Sequence, residues 1–154
     1  MERTINNIKM NNFNPDNLFS IGVEEEYMLC DPITYELINK AGNIMNSLNN
    51  NEKKYFSYEL LLSEIEANTP ICTDTKMAIN EVIKKRNKLK DLGEVNNFKI
   101  GISGTHPTSI PENQIFVENE AYNWVSDQLK YYAKQNITFS THIHIGLDNP
   151  DIAI

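Results

Sequence analysis

Arginine is almost absent from this 154-residue chain, where it occurs only at Arg3 and Arg86. Acidic residues outnumber basic ones, and the formal net charge is −7. Nucleic acids and anionic membranes are bound by basic surfaces, so this charge argues against both as partners. It does not exclude small phosphate-bearing ligands, because a divalent cation can supply the positive charge that they require. Neither arginine falls within the motifs described below, so both are expected to lie away from any site.

Cysteine and long apolar runs are also scarce. Cys30 and Cys72 form neither a metal-type spacing nor a disulfide framework, and their apolar neighbours predict buried, inert thiols. No apolar run approaches the roughly 20 residues of a membrane span. The polar residues 1–16 lack the apolar core of a signal peptide, which predicts a cytoplasmic location.

The chain is long enough for one domain with a hydrophobic core. Residues 1–17 are predicted to be a flexible arm, and residues 18–154 the domain. Within it, the residue patterns predict strands at 19–30, 34–38, 98–103 and 137–147, a short helix with a loop at 39–53, and helices at 74–92 and 118–135. Residues 58–68 fit a helix or a strand equally well.

The helix predicted at 74–92 has the clearest pattern. Asp74 can cap its start and Gly93 can end it. Its predicted buried stripe consists of Ile79, Val82, Ile83 and Leu89.

The last predicted strand alternates with a period of two, which places His142 and His144 on one polar face. The two residues are about 7 Å apart along the strand. Imidazole in this arrangement can bind a metal ion or donate to phosphate. The alternative is a solvated strand face with two incidental histidines.

The first strand places Glu24 and Glu26 on one face, with Ile21 and Val23 on the other. Glutamate is depleted in strands and like charges repel, so two carboxylates on one face favour a bound cation. An exposed edge strand made acidic against aggregation is the alternative. Glu25 points to the apolar side and has no assigned role.

The segment at 58–68 adds more carboxylates. If it is a strand from Leu60 onward, Glu64, Glu66 and Asn68 share one face. Glu59 has the opposite parity and could join that face only from before a bulge or bend. Ordinary surface charge is the alternative for these glutamates.

The loop after the 98–103 strand contains Gly104, Thr105 and His106. Its exposed backbone donors could hold an anion, although an ordinary turn has the same composition.

Three predicted strands thus each present hard-cation ligands on one face, and the strands are expected to be neighbours. Glu24, Glu26, Glu66 and His142 should then converge. Carboxylate oxygens with imidazole suit Mg²⁺ or Mn²⁺, and the absence of cysteine from the set argues against structural zinc.

Four motifs together resemble the carboxylate–amine ligase family, the bacterial type-two glutamate–cysteine ligases. They are GVEEEY at 22–27 followed by Asp31-Pro32, the two glutamates before NTP in residues 59–72, GISGTHP at 101–107 and THIHIG at 141–146. They occur in the family's order and span residues 19–154.

This resemblance implies a glutamine-synthetase-like α+β fold, with an antiparallel sheet, helices packed on one face, and Mg²⁺ or Mn²⁺ on the other. It implies ATP, glutamate and an amine such as cysteine as substrates, joined into an amide through an acyl phosphate. The implied metal ligands are Glu24, Glu26, Glu59, Glu66 and His142. His144, Thr105 and His106 are implied to contact nucleotide or substrate.

Members of the family are more than twice as long, so the resemblance implies that the chain is a front portion with an incomplete fold. A missing C-terminal half or a homo-oligomer is then the expected macromolecular partner. Two alternatives to a ligase remain: a non-catalytic metal- or partner-binding fragment, and a metal-dependent hydrolase using the same residues.

Overall fold

The computed structural model describes residues 15–118, 128 and 137–149. Within these residues, five strands form one antiparallel sheet: β1 (Ile21–Cys30), β2 (Phe56–Tyr58), β3 (Glu64–Asn68), β4 (Lys99–Gly101) and β5 (Thr141–Ile145). The sheet packs against helices α1 (Ala41–Ser47) and α2 (Thr75–Asn96). Short 3₁₀ helices span Pro15–Asn17, Glu52–Tyr55 and Pro111–Asn113.

Strand β1 is the centre of the sheet. Strand β3 pairs along one of its edges and β2 pairs with the outer edge of β3. The other edge of β1 is shared, with β5 beside residues 21–25 and β4 beside residues 28–30. Strand β1 therefore lies between β3, from the segment at 58–68, and β5, from the segment at 137–147. These three segments were expected to be neighbours from their shared parity and from the need to neutralise clustered charge.

The two faces of the sheet differ in chemistry. Tyr27 and Leu29 of β1, with Ile65 of β3, point to the face that we call the helix face, where they pack against Ile44 of α1 and Leu89 of α2. All five side chains are buried. Full burial of such a side chain contributes roughly 1.5–3 kcal/mol to folding, which fixes both helices on this face.

The opposite face, which we call the acidic face, carries Glu24 and Glu26 at one end and a second apolar cluster at the other. That cluster contains Met28, Cys30, Leu61, Ile137 and Phe139. The alternation predicted for 137–147 is therefore interrupted, because Ile137 and Phe139 pack with acidic-face residues of β1. The regular strand covers only residues 141–145, which pair with residues 21–25 of β1. Residues 28–30 of β1 pair with β4 instead.

Helix α2 begins where the sequence predicted, with the Asp74 carboxylate accepting a 2.7 Å hydrogen bond from the Met77 amide. It does not end at Gly93, which was the predicted stop. The helix continues to Asn96, and Asn97 takes the left-handed conformation with φ 57°. Gly93 serves packing instead, since a Cβ there would lie 2.5 Å from the carbonyl oxygen of Phe98.

The predicted buried stripe of α2 is wrong for two of its members. Ile79 and Ile83 are 60% and 47% exposed, whereas Leu89 is fully buried. The C-terminal half of α2 packs in the core, while its N-terminal half faces an open groove toward β5. This apolar groove has a volume of about 540 Å³, and its other walls include Ile143 and Ile145.

Other predicted elements are shorter or fall outside the described residues. The return strand predicted at 34–38 is reduced to a bridge between Cys30 and Leu37. Most of the helix predicted at 118–135 and of the arm at 1–17 lies outside the described residues, although 15–17 form a 3₁₀ helix. None of the helices in the described ranges is both long and apolar enough to cross a membrane.

Candidate metal centre

Three carboxylates meet on the acidic face where β1, β2 and β3 run side by side. Glu26 and Glu66 are paired across β1 and β3, and Glu59 follows directly after β2. One oxygen from each of the three lies within 4.8 Å of the others, and all three side chains are partly buried. This spacing allows a single cation with oxygen ligands at about 2.0–2.6 Å to contact all three.

Glu59 joins this cluster because the segment at 58–68 is a hairpin rather than one strand. Ser57 of β2 is paired with Glu66 of β3, so the two share a face of the sheet. Glu59 is two residues after Ser57 and keeps the same parity. The chain turns between β2 and β3, which supplies the bend that the sequence required for Glu59.

Two neighbours orient the carboxylate of Glu66. The Ser57 hydroxyl and the Asn68 side-chain amide each donate a 2.9 Å hydrogen bond to Glu66 Oε1. Hydrogen bonds to a ligand carboxylate fix its orientation and tune its affinity for a metal. Asn68 was grouped with Glu66 from its parity alone, but Ser57 was not anticipated.

A second group lies beside the first, where β1 meets β5. His142 is paired with Glu24 and His144 with Gly22. Glu24 Oε2 is 3.4 Å from His142 Nδ1 and 3.0 Å from His144 Nε2, and both imidazoles are about half exposed. The predicted side-by-side placement of the two histidines is confirmed, with ring centroids 6.5 Å apart.

Ser140 connects the two groups. Its amide donates a 2.7 Å hydrogen bond to Glu26 Oε2, and its hydroxyl lies 3.1 Å from His142 Nε2. Ser140 directly precedes β5, so the beginning of β5 lies at the edge of the site. The convergence predicted for Glu24, Glu26, Glu66 and His142 is therefore confirmed as geometry.

Burial, together with neighbouring negative charge, raises the pKa of two glutamates on the acidic face. Burial, with Glu66 and Glu26 nearby, raises the pKa of Glu59 to about 7. Burial, with Glu26, Glu59 and Glu66 nearby, raises the pKa of Glu64 to about 9. Sequence reasoning placed Glu64 on this face but did not identify it as part of the site, although its parity with Glu66 was the available signal.

These residues fit a hard divalent cation. The three clustered donors are carboxylate oxygens, the ligands that Mg²⁺ and Mn²⁺ prefer, and imidazole nitrogens lie beside them. Among the described residues, no lysine or arginine forms an ion pair with Glu26, Glu59 or Glu66. The negative charge of the cluster is thus left for protons or a bound cation to neutralise.

The expectation that Arg86 lies away from every motif is wrong. Arg86 on α2 pairs with Glu25, the middle residue of the acidic run in β1, through hydrogen bonds of 2.9 and 2.6 Å. Burial favours the neutral form of Glu25, but the hydrogen bonds from Arg86 and Tyr27 outweigh it and lower the pKa of this carboxyl. Sequence periodicity placed Glu25 on the helix face without revealing a partner 61 residues away.

The structure does not bring Thr105 and His106 into contact with the carboxylates. The Thr105 hydroxyl donates to the carbonyl of Ile137 at 2.7 Å, and His106 Nε2 lies 2.9 Å from the carbonyl of Tyr35. Both side chains hold the 103–107 loop against neighbouring segments. Their predicted contact with nucleotide or substrate stays a prediction.

The fold and the acidic face define an α+β domain with a candidate divalent-cation centre on that face of the sheet. Residues 20–154 match the family model of glutamate-cysteine ligase family 2, and the chain belongs to that family. The resemblance that the four motifs indicated is thereby confirmed.

Similar proteins come from several bacteria. "Putative glutamate--cysteine ligase 2-1" of Rubrobacter xylanophilus is 31% identical over 136 residues, which are 88% of this chain and 36% of that protein. "Putative glutamate--cysteine ligase 2" of Chloroflexus aggregans is 32% identical over 148 residues, 94% of this chain and 38% of that protein. The chain thus spans less than two fifths of the length of either relative.

Proposed function

We propose that this chain forms the cation-binding part of an ATP-dependent ligase that joins the side-chain carboxylate of glutamate to an amine such as cysteine. The observation that carries the proposal is the meeting of Glu26, Glu59 and Glu66 within 4.8 Å, beside Glu24 and its two histidines. Family membership and the names of the relatives support the ligase assignment. An antiparallel sheet with ligands on one face and helices on the other supports a glutamine-synthetase-like fold.

The proposed reaction has two steps. An oxygen of the glutamate side-chain carboxylate attacks the terminal phosphorus of ATP, which forms an acyl phosphate and releases ADP. The amine nitrogen then attacks the acyl carbon, an amide bond forms, phosphate leaves, and the nitrogen loses a proton to solvent or a nearby base. No side chain of this chain needs to form a covalent bond with the substrate.

The residues of the acidic face have separate roles in this proposal. Glu26, Glu59 and Glu66 hold Mg²⁺ or Mn²⁺, with Glu66 oriented by Ser57 and Asn68. A bound cation supplies charge that holds phosphate oxygens and offsets negative charge as the phosphoryl group is transferred. The adjacent group consists of Glu24, His142 and His144. Its imidazole nitrogens can bind a second cation or donate to a phosphate oxygen.

The described residues supply the acidic side of such a site but not its cationic side. Arg86 is on the opposite face of the sheet, paired with Glu25. Loss of one electrostatic donor to a transition state commonly costs about a hundred- to a thousandfold in rate. We therefore expect the 154-residue chain to bind cation while catalysing ligation at a very low rate.

Mn²⁺ binding, followed by electron paramagnetic resonance, tests the metal centre in the purified chain. Glu26→Gln and Glu66→Gln should each weaken binding at least tenfold, because each removes a charged oxygen ligand. Glu112→Gln is the matched control, since this glutamate is exposed on the 3₁₀ helix at Pro111–Asn113. Equal Mn²⁺ affinity in all four proteins would contradict the proposal.

Product analysis tests the reaction class. The chain is incubated with ATP, Mg²⁺, glutamate and cysteine, and phosphate and the glutamyl–cysteine amide are measured. Phosphate release that needs both amino acids and yields the amide supports a ligase, even at a low rate. Metal-dependent hydrolysis without ATP would favour the hydrolase, and turnover of about 1 s⁻¹, typical of complete enzymes, would contradict the expected low activity.

A further inference from the structure

Glu25 lies between the two acidic-face glutamates of β1 but belongs to the other side of the sheet. Its side chain is 7% exposed, and both of its carboxylate oxygens accept hydrogen bonds from the Arg86 guanidinium. The Tyr27 hydroxyl also donates to Glu25 Oε2. With both oxygens engaged on the helix face, Glu25 is not available as a metal ligand.

The guanidinium is attached to a helix that is itself fixed in place. Three residues beyond Arg86, Leu89 is fully buried, and Leu92 is also buried in the same core. The start of α2 is capped by Asp74. A planar guanidinium that binds both oxygens of a carboxylate sets distance and orientation together, which a lysine ammonium cannot do.

The point of attachment on β1 is where the strand meets two partners at once. Glu25 is paired with Ala67 of β3 on one edge and with Thr141 of β5 on the other. The next residue, Glu26, accepts the hydrogen bond from Ser140, directly before β5 begins. Any displacement of β1 at Glu25 therefore moves the carboxylates on either side of it.

We propose that Arg86 is a positioning residue for the cation site, acting through Glu25 to hold Glu24 and Glu26 in their binding geometry. This inference rests on the proposed metal centre. Binding constellations need their groups held within roughly 0.5 Å, and supporting residues outside the ligand set provide that constraint. Arg86 does so from the far side of the sheet, where it touches neither metal nor substrate.

Three variants test this role by Mn²⁺ affinity and melting temperature together. Arg86→Met removes the guanidinium but keeps an apolar side chain of similar length. Arg86→Lys keeps the charge and loses the two-point contact. The pair Glu25→Leu with Arg86→Met replaces the whole ion pair with apolar groups, an exchange that is often neutral for stability. Lys88→Met is the control, since Lys88 is on the same helix but pairs with Glu52.

Arg86→Met and the double variant should raise the Mn²⁺ dissociation constant about tenfold, the lower end of the range for residues that support ligands. Arg86→Lys should fall between these and the wild type, and Lys88→Met should match the wild type. If the Arg86 variants lower the melting temperature while Mn²⁺ affinity stays within about twofold of wild type, the ion pair serves stability alone and the inference is overturned. If the wild-type chain itself binds no Mn²⁺, the proposed metal centre fails instead.

Discussion

Glu24 and His142 are direct partners across β1 and β5, and the Glu24 carboxylate lies 3.4 Å from the His142 ring. They come from the first and last strands of the described sheet, 118 residues apart in the sequence. This pairing places β5 beside residues 21–25 of β1, with both histidines next to Glu24 on the acidic face. The group of Glu24 with its two histidines therefore depends on the β1–β5 pairing, whereas Glu26, Glu59 and Glu66 are brought together by β1, β2 and β3.

Divalent cations should stabilise the wild-type chain. Clustered carboxylates repel one another without a cation, and a ligand that binds only the folded state raises its stability by about 2.7 kcal/mol at 100 times its dissociation constant. Millimolar Mg²⁺ should thus raise the melting temperature, and Glu26→Gln should reduce that rise. The response of Glu112→Gln should equal that of the wild type. An unchanged wild-type melting curve in Mg²⁺ would argue that the acidic face binds no cation in this chain.

The metal-free protein should lose stability as the pH rises. The pKa is raised in the folded state for both Glu59, to about 7, and Glu64, to about 9, whereas in the unfolded chain a glutamate titrates near 4.3. The folded state then binds more protons between these values, so the contribution to stability is complete below the unfolded pKa and lost as the pH passes the folded values.

Thermal melts in a chelator between pH 5 and pH 9.5 measure this effect. The melting temperature should fall across the range, and Glu64→Gln should flatten the decline above pH 7 because glutamine mimics the protonated acid. Mg²⁺ should restore most stability at the alkaline end, where the carboxylates are charged. A melting temperature that rises with pH in the chelator would contradict the assigned pKa directions.

Gly93→Ala should destabilise the protein although alanine favours helices. The added Cβ would lie 2.5 Å from the Phe98 carbonyl oxygen, a backbone atom that cannot rotate away. Overpacking of this kind costs about 1–3 kcal/mol, against a gain of up to about 1 kcal/mol from helix propensity. Urea denaturation measures the net loss. Gly104→Ala is the matched control, because a Cβ there meets nothing within 4 Å.

Both cysteines should react slowly with thiol reagents in the folded protein. Cys72 is fully buried, Cys30 is 6% exposed, and burial raises the pKa of the Cys30 thiol. The reactive thiolate of Cys30 is therefore rare, and the sulfur atoms of both cysteines are poorly accessible. A chromogenic disulfide reagent should modify both thiols rapidly in urea, and neither thiol rapidly in the native protein. Rapid modification of either cysteine in the native protein would contradict their burial.

Much of the acidic face follows from the alternation of side chains along strands. Parity alone groups Glu24 with Glu26, Glu64 with Glu66, and His142 with His144, since neighbouring side chains in a strand point to opposite faces. Which strands are adjacent is less accessible to this reasoning, although the need to neutralise clustered charge favoured the correct arrangement.

Other features depend on contacts that no local pattern records. The pairing of Arg86 with Glu25 joins residues 61 positions apart, and the helical period of α2 does not reveal which strand residue its arginine meets. That period also predicted burial for Ile79 and Ile83, but burial requires a neighbouring element over that half of the helix. Asn97, not Gly93, terminates α2, because asparagine also tolerates the left-handed conformation.

The alternation in β1 has a consequence for how the chain finds its fold. A slip of β1 by one residue against its neighbours would exchange the two faces of the strand. Glu24 and Glu26 would then point to the helix face, while Tyr27 and Leu29 would leave the core that they form with α1 and α2, and Glu25 would lose Arg86. Arg86 could pair with only one of Glu24 and Glu26, and the other would bring an unpaired charge to the helix face. That alternative alignment is therefore disfavoured, so the residues that build the cation site also select the correct strand register during folding.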